Sequence, residues 1–243
     1  MTNLDQEAVR KQLAPTGTLI CALNHGNVVL VRRGQSDDSP TGVSVDIARA
    51  VADSLSLPIR FRHYDKAGDV SGSAGNGEWD VCFLAIDPKR AERIAYSEPY
   101  VQIEGAYLVP RLQSIITLDD FGRSNSRIGA VRGSAYELFL SRQGWAGRIV
   151  RFDSFPQAVN ALEAGEVDGL AGVRQAMQKV ADEKHDLEVM GEAFMAIPQA
   201  VGVSSDRPIA AEYIAELIRR MKASGFIRRS LDLSGHEDVV VPA

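Results

Sequence analysis

The chain has 243 residues, which at roughly 150 residues per domain is one large domain or two small lobes. Apolar residues make up 45% and charged residues 24%, an ordinary globular balance that excludes disordered, collagen-like and coiled-coil architectures. Twenty-seven Lys plus Arg against 32 Asp plus Glu give a net charge of −5, and the basic residues are scattered, so nucleic acid is not an expected partner.

No window approaches the ~20 apolar residues that a membrane-spanning helix needs, so membrane insertion is not expected. Met1 to Gln12 carries acidic residues and no apolar stretch before a small-residue cleavage site. As written this reads as a cytoplasmic chain, and as a periplasmic one if a leader was omitted. Cys21 and Cys82 have neither metal-site nor C-x-x-C spacing and read as reduced core thiols. His25, His63, His185 and His236 are dispersed, so neither a metal nor a cofactor is expected.

In chain order, Leu19 to Leu23 after Pro15-Thr16-Gly17 reads as a buried strand. A polar loop follows around Gly34 to Pro40. Val45, Ala48, Val51, Ala52 and Leu55 fall on one helical face, and Pro58 ends that helix. Ile59 to His63 and Trp79 to Leu84 read as strands, and Ala67 to Gly77 between them is too rich in Gly and Ser for a strong helix. This order predicts a parallel sheet with helices packed on it. Val101 to Val109 then reads as an extended strand. The pattern restarts with a strand at Arg127 to Val131, a helix at Ala135 to Ser141, a strand at Ile149 to Phe152, a helix at Phe155 to Ala164 and a strand at Val167 to Ala171. Ala193 to Val203 is extended again, and Ile209 to Ala223 is helical with Ile214, Leu217, Ile218 and Met221 as its apolar stripe before Gly225.

Gly42-Val43-Ser44-Val45-Asp46-Ile47-Ala48, Gly77-Glu78-Trp79-Asp80-Val81, Asp87-Pro88-Lys89-Arg90, Tyr96-Ser97-Glu98-Pro99-Tyr100, Val131-Arg132-Gly133-Ser134, Leu162-Glu163-Ala164-Gly165-Glu166-Val167-Asp168 and Lys222-Ala223-Ser224-Gly225-Phe226 run in order over nearly the whole chain. In these residues it resembles the polar amino-acid type of periplasmic solute-binding protein, extracellular solute-binding protein family 3. The resemblance implies the two-lobed type 2 binding-protein fold. Each α/β lobe has a mostly parallel sheet flanked by helices, two strands cross between the lobes, and the lobes close on ligand in the cleft. Residues 1–104 with 195–243 are expected to form one lobe and 105–194 the other.

The resemblance also assigns roles. Arg90, between a strand and a helical run, matches the arginine that holds the ligand carboxylate, and a planar guanidinium suits that task. Gly133 to Tyr136, with Ser134 and Ala135 between them, open a helix whose N–H groups make a second anion site. Two plainer readings stand beside these, a solvated charge for Arg90 and a simple cap for Gly133-Ser134. Asn24, Gly26 and Asn27 follow the first strand where relatives place a cleft residue, and they also spell an everyday turn. The run Val81-Cys82-Phe83-Leu84-Ala85-Ile86-Asp87 lacks the Ser and Thr of relatives and is shorter, leaving Phe83, Leu84 and Ala85 along the ligand. Gly169 to Arg174 lacks the acid that meets a ligand ammonium in relatives, with Val173 in its place. Glu104 and Gln199, on the two presumed crossing strands, are further pocket candidates or solvent-facing polars.

The function expected is binding of a small carboxylate-bearing solute, as the binding component of an ABC-type uptake system with a permease partner, or in an intracellular relative of one. The alternative is an enzyme on the same scaffold, a cyclohexadienyl dehydratase-like lyase in which Glu104 or Asp87 would act as general acid. No helix-turn-helix precedes the first strand, which speaks against an effector domain cut from a DNA-binding protein.

Overall fold

The structure is a computed structural model and describes residues 5–36, 39–111 and 125–243. Part of the Gly34 to Pro40 loop lies outside the described residues. The chain divides into two compact units, Met1–Gln102 with Pro198–Ala243 (unit 1) and Ile103–Ile197 (unit 2). Each is a sheet flanked by helices.

In unit 1, β1 (Leu19–Asn24) lies between β2 (Ile59–Tyr64) and β3 (Val81–Ala85), parallel to both. β10 (Met195–Ser204) runs antiparallel to β3 and to the short β4 (Ile94–Tyr96). β3 is buried along its whole length, as its unbroken apolar run requires of an interior strand. β2 instead exposes Arg60 and Arg62 between half-buried Ile59, Phe61 and His63, the alternation of a strand with one wet face. The helix expected from the spacing of Val45, Ala48, Val51, Ala52 and Leu55 is α2 (Val43–Ser54), and all five side chains are buried. It starts at Gly42, where φ is +114° and a Cβ would stand 2.5 Å from the Leu30 carbonyl oxygen, so only glycine fits.

The Gly- and Ser-rich stretch forms only the six-residue α3 (Ala67–Gly72), which buries Val70 alone. Val70 joins Ala22, Ala74, Trp79, Cys82, Leu84 and Ile94 in a core cluster. α4 (Pro88–Ala91), α8 (Pro208–Ala223) and α9 (Phe226–Leu233) complete this unit with α1 (Gln6–Leu13). The sequence reading passed over α1, which holds α8 in place: Gln12 Oε1 accepts from the Ile209 and Ala210 N–H groups at 2.8 and 3.1 Å. These are donors that a helix start leaves unpaired.

In unit 2, β5 (Val101–Pro110) pairs antiparallel with β8 (Gly169–Val173) and β9 (Leu187–Val189). β6 (Ile128–Val131) pairs parallel with β8 and with β7 (Ile149–Phe152). α6 (Phe155–Glu163) and α7 (Arg174–Glu183) cover a core of Leu108, Val159, Leu162, Val167, Leu170 and Met177. α5 (Ala135–Leu140) contributes Leu140 to a second cluster with Tyr107, Ile128 and Ala171. It runs on into a π-helical turn, Ser141–Trp145, in which Gly144 has φ +80°.

The two units share a bracket. In unit 1 the N–H of Asp80 donates to the Ile20 carbonyl at 2.8 Å, and Asp80 Oδ2 accepts from the Ile20 N–H at 3.0 Å. In unit 2 the N–H of Asp168 donates to the Arg127 carbonyl at 2.9 Å, and Asp168 Oδ2 accepts from the Arg127 N–H at 2.7 Å. Each aspartate thus ties the start of one central strand to its parallel neighbour. Each also ends a Gly-Glu-x-Asp step whose glycine has positive φ, +73° at Gly77 and +70° at Gly165. The bracket explains why β8 begins two residues later than the apolar run suggests, since Val167 and Asp168 belong to the turn that forms it.

Candidate functional site

The carboxyl ends of parallel strands are where open α/β sheets bind ligands, and most of the expected site residues collect there in their own unit. In unit 1, Asn24 ends β1, and its Oδ1 accepts from the Gly26 N–H at 3.1 Å. That is an Asx turn, so the Asn24 side chain is spent on the loop. Gly26 is needed there, because a Cβ would lie 2.8 Å from the Asp65 carbonyl oxygen. Asn27 is 7% exposed and its Oδ1 is buried with no hydrogen-bond partner among the described residues.

Phe83, Leu84 and Ala85 are all buried on β3. Leu84 packs into the core cluster with Trp79 and Ile94, so only its backbone is left to serve a ligand. Phe83 meets Tyr100 edge-on at 6.3 Å, and the Tyr100 hydroxyl bonds Ser44 Oγ at 2.9 Å. Gln199 pairs with Ala85 across the sheet and is 4% exposed.

Arg90 sits on α4, a turn started by Asp87, whose Oδ1 accepts from the Lys89 N–H at 2.9 Å, with Pro88 in the first turn. The guanidinium donates to the Ala85 carbonyl at 3.1 Å and is only 4% exposed, so the plainer reading of a solvated charge does not hold. Burial lowers its pKa from the ordinary value, and Tyr96, Asp87 and Cys82 oppose that shift. It keeps its proton, as guanidinium groups do in proteins. Tyr96 and Cys82 escaped the sequence reading because nothing in their local spacing points at Arg90. Burial pushes the Cys82 thiol up to about 12, and Cys21 is raised as well, so neither is a nucleophile.

In unit 2 the expected donors lie at the start of α5. Gly133 has φ +72°, and its N–H donates to Glu137 Oε2 at 3.1 Å, so a carboxylate of the chain itself already occupies it. Ser134 is the N-cap, its Oγ accepting from the Glu137 N–H at 3.1 Å. The plainer reading of a cap therefore holds for Ser134, and Gly133 and Ser134 both serve the helix. The N–H groups of Ala135 and Tyr136 open the helix and have no acceptor inside it. Tyr136 is half-buried, desolvation pushes its hydroxyl up to about 12, and Ser134 bonds that hydroxyl.

Glu137, 6% exposed, also accepts from Ser141 Oγ at 2.9 Å and Arg151 Nε at 2.8 Å, and Arg151 bonds Ser141 Oγ at 3.0 Å. Ser134-x-x-Glu137 is a capping-box spacing, the signal that would have found this residue.

Val173 ends β8 opposite Gly105. An acid one residue earlier would have to displace the end of the Met177 side chain, since a Cβ on Gly172 would lie 1.9 Å from Met177 Cε. Glu104 is half-exposed, but Arg174 Nε binds its Oε2 at 2.5 Å. The remaining guanidinium nitrogens of Arg174 donate to the Met190 and Gly191 carbonyls at 3.2 and 3.0 Å. The charge of Glu104 is thus neutralised within the unit. Among the described residues no group of three or more His, Cys, Asp or Glu is placed to hold a metal ion, and no helix is long and apolar enough to cross a membrane.

Comparison with known proteins agrees with this architecture. The ABC transporter glutamine-binding protein GlnH of Bacillus subtilis is 22% identical over 189 residues, covering 76% of this chain and 68% of its own length. Among solved structures, a mutant of ArgBP from T. maritima has a TM-score of 0.78 at 18% identity, covering 94% of this chain and 99% of that one. An amino acid ABC transporter substrate-binding protein from Streptococcus pneumoniae Canada MDR_19A, bound to L-arginine, has a TM-score of 0.76 at 20% identity, covering 97% and 99%. At these identities the structures show the fold. The pattern of one family, the bacterial extracellular solute-binding proteins, family 3, matches residues 29–232. The chain thus belongs to that family, a family of solute-binding proteins.

Proposed function

We propose that the chain captures a small carboxylate-bearing solute and delivers it to an ABC-type permease. The observation that carries this reading is Arg90, a permanently charged fork buried at the carboxyl end of β3. A guanidinium fork at that place matches the planar geometry of a ligand carboxylate, which it can bind through two parallel N–H groups. Asn27, Gln199 and the backbone of β3 supply polar groups near the same strand ends. Within unit 2, the N–H groups of Ala135 and Tyr136 at the start of α5 are the donors that the resemblance assigns there.

The ammonium of an ordinary amino acid finds no uncommitted carboxylate among these residues, with Val173 apolar and Glu104 bound to Arg174. Carboxylates without an ammonium therefore suit the site better than their amino-acid counterparts, because an unmatched buried charge is costly. The test is a thermal-shift screen pairing each α-amino acid with its keto and hydroxy analogues. Ligand at about 100 times its dissociation constant adds ~2.7 kcal/mol of stability, a melting shift of roughly 5–10 °C. Val173→Asp should move the preference toward amino acids. Strong shifts with several ordinary amino acids on the unaltered protein would overturn the assignment of the ammonium end. Hits that shift Arg90→Ala as much as wild type would overturn the carboxylate end.

A further inference from the structure

His236 lies in unit 1 just beyond α9, 8% exposed, in a segment that touches three parts of that unit. Its Nε2 is 3.2 Å from Arg32 Nη2, and the Val28 carbonyl faces the ring as a hydrogen-bond partner. Its own carbonyl and that of Val239 accept from Arg228 on α9 at 2.8 and 2.6 Å. One residue further, Val240 accepts from the Gln102 N–H at 2.9 Å, at the end of the unit's first stretch of chain. We propose that His236 is an acid-sensitive catch: neutral, it fastens residues 234–240 to the loop 28–32, and protonation lets them go.

The chemistry follows from the two ring nitrogens. Arginine only donates, so Nε2 must accept, and the neutral ring carries its proton on Nδ1, toward the Val28 carbonyl. A second proton turns Nε2 into a donor and sets an imidazolium against a guanidinium at 3.2 Å. The charged groups around the ring do not cancel this. Arg32 opposes protonation from the loop, while Glu237 and Asp238 favour it from the segment itself. Arg228 is engaged with Asp232 and with backbone carbonyls. Burial is the largest influence, and with Arg32 it holds the ring below the ordinary histidine pKa.

The sign is therefore set. The unfolded chain takes up the proton more readily, so the catch is fully effective above the ordinary value of about 6.5 and is lost as pH falls through the lower folded value. Release reaches two places. The loop 28–32 continues directly from Asn27, whose carbonyl accepts from the Leu30 and Val31 N–H groups at 3.2 Å each. At the other end it frees Gln102.

Hydrogen exchange on the full chain tests this without a ligand, comparing protection factors at about pH 7.5 and about pH 5.5. Protection at the Gln102 amide and at Leu30 to Arg32 should fall by up to about tenfold, the excess protonation of an ordinary histidine at the lower pH. Amides of β6 and α6 in unit 2 should not change. His236→Gln keeps an acceptor for Arg32 but does not titrate, so its protection should stay constant. Arg32→Met removes the opposing cation and should blunt the acid response. If His236→Gln loses protection with acid as wild type does, or if wild type shows no change at Gln102, the catch does not exist.

Discussion

Asp80 of unit 1 and Asp168 of unit 2 make the same pair of hydrogen bonds to the backbone of Ile20, at the start of β1, and of Arg127, just before β6, yet their surroundings differ. Asp80 is 4% exposed, and its second oxygen binds Arg207 at 2.7 Å, 127 residues further along the chain. Asp168 has a side chain 34% exposed, and its second oxygen binds the side chain of Arg127, the residue whose backbone it already holds. One bracket is buried and closed from a distance, whereas the other is local and wet. Identical backbone geometry thus sits on electrostatics of very different weight, because charge pairing counts for most where water is excluded.

The largest expected effect comes from breaking the buried bracket. Asp80→Ala strands Arg207 and the Ile20 N–H, and should cost about 3–5 kcal/mol of stability in urea unfolding. A loss near that of the exposed bracket would mean that burial adds nothing here. Next is Arg90→Ala, which should weaken carboxylate binding by roughly 2–5 kcal/mol, read by calorimetry with a hit from the analogue screen. Lysine should restore only part, because an ammonium lacks the fork.

Asp168→Ala should cost about 1 kcal/mol, the worth of an exposed pair and a hydrogen bond. The smallest effect is its titration. Burial works to raise the Asp168 carboxyl, but the hydrogen bonds from Arg127 outweigh it and hold the group below the ordinary value. Its contribution is present above about pH 4 and disappears as pH falls through the lower folded pKa. A melting series in acid should show a shallower loss for Asp168→Asn than for wild type, and equal slopes would remove Arg127 from the account.

Much of this was legible because it is local. The buried face of α2 follows from the spacing of Val45, Ala48 and Val51, and the interior place of β3 from its unbroken apolar run. The Gly-Glu-x-Asp steps are visible as letters, but the bonds they make are not. The ordered resemblance assigns Arg90 to the ligand, but its burial was not legible, since that depends on how α4 lies against β3. Glu104 read as an available acid because Arg174 is 70 residues away and nothing in either neighbourhood announces the pair. Gly133 read as an open donor although Glu137, four residues on, was positioned to take it.

The division of the chain bears on how the protein is made. Unit 2 is one uninterrupted stretch and is complete when residue 197 has been synthesised, while unit 1 still lacks α8 and α9. At about 5–20 residues per second, residues 198–243 follow about 2–9 s later. During that interval Asp80 waits for Arg207, Arg32 waits for His236, and β3 has no β10 beside it. Cys21 and Cys82, inert thiols once buried, are then carried on strands of an unfinished sheet. Oxidation and strand-edge aggregation should therefore strike the nascent first unit, and a reducing environment during synthesis should raise the yield of native protein more than one applied afterwards.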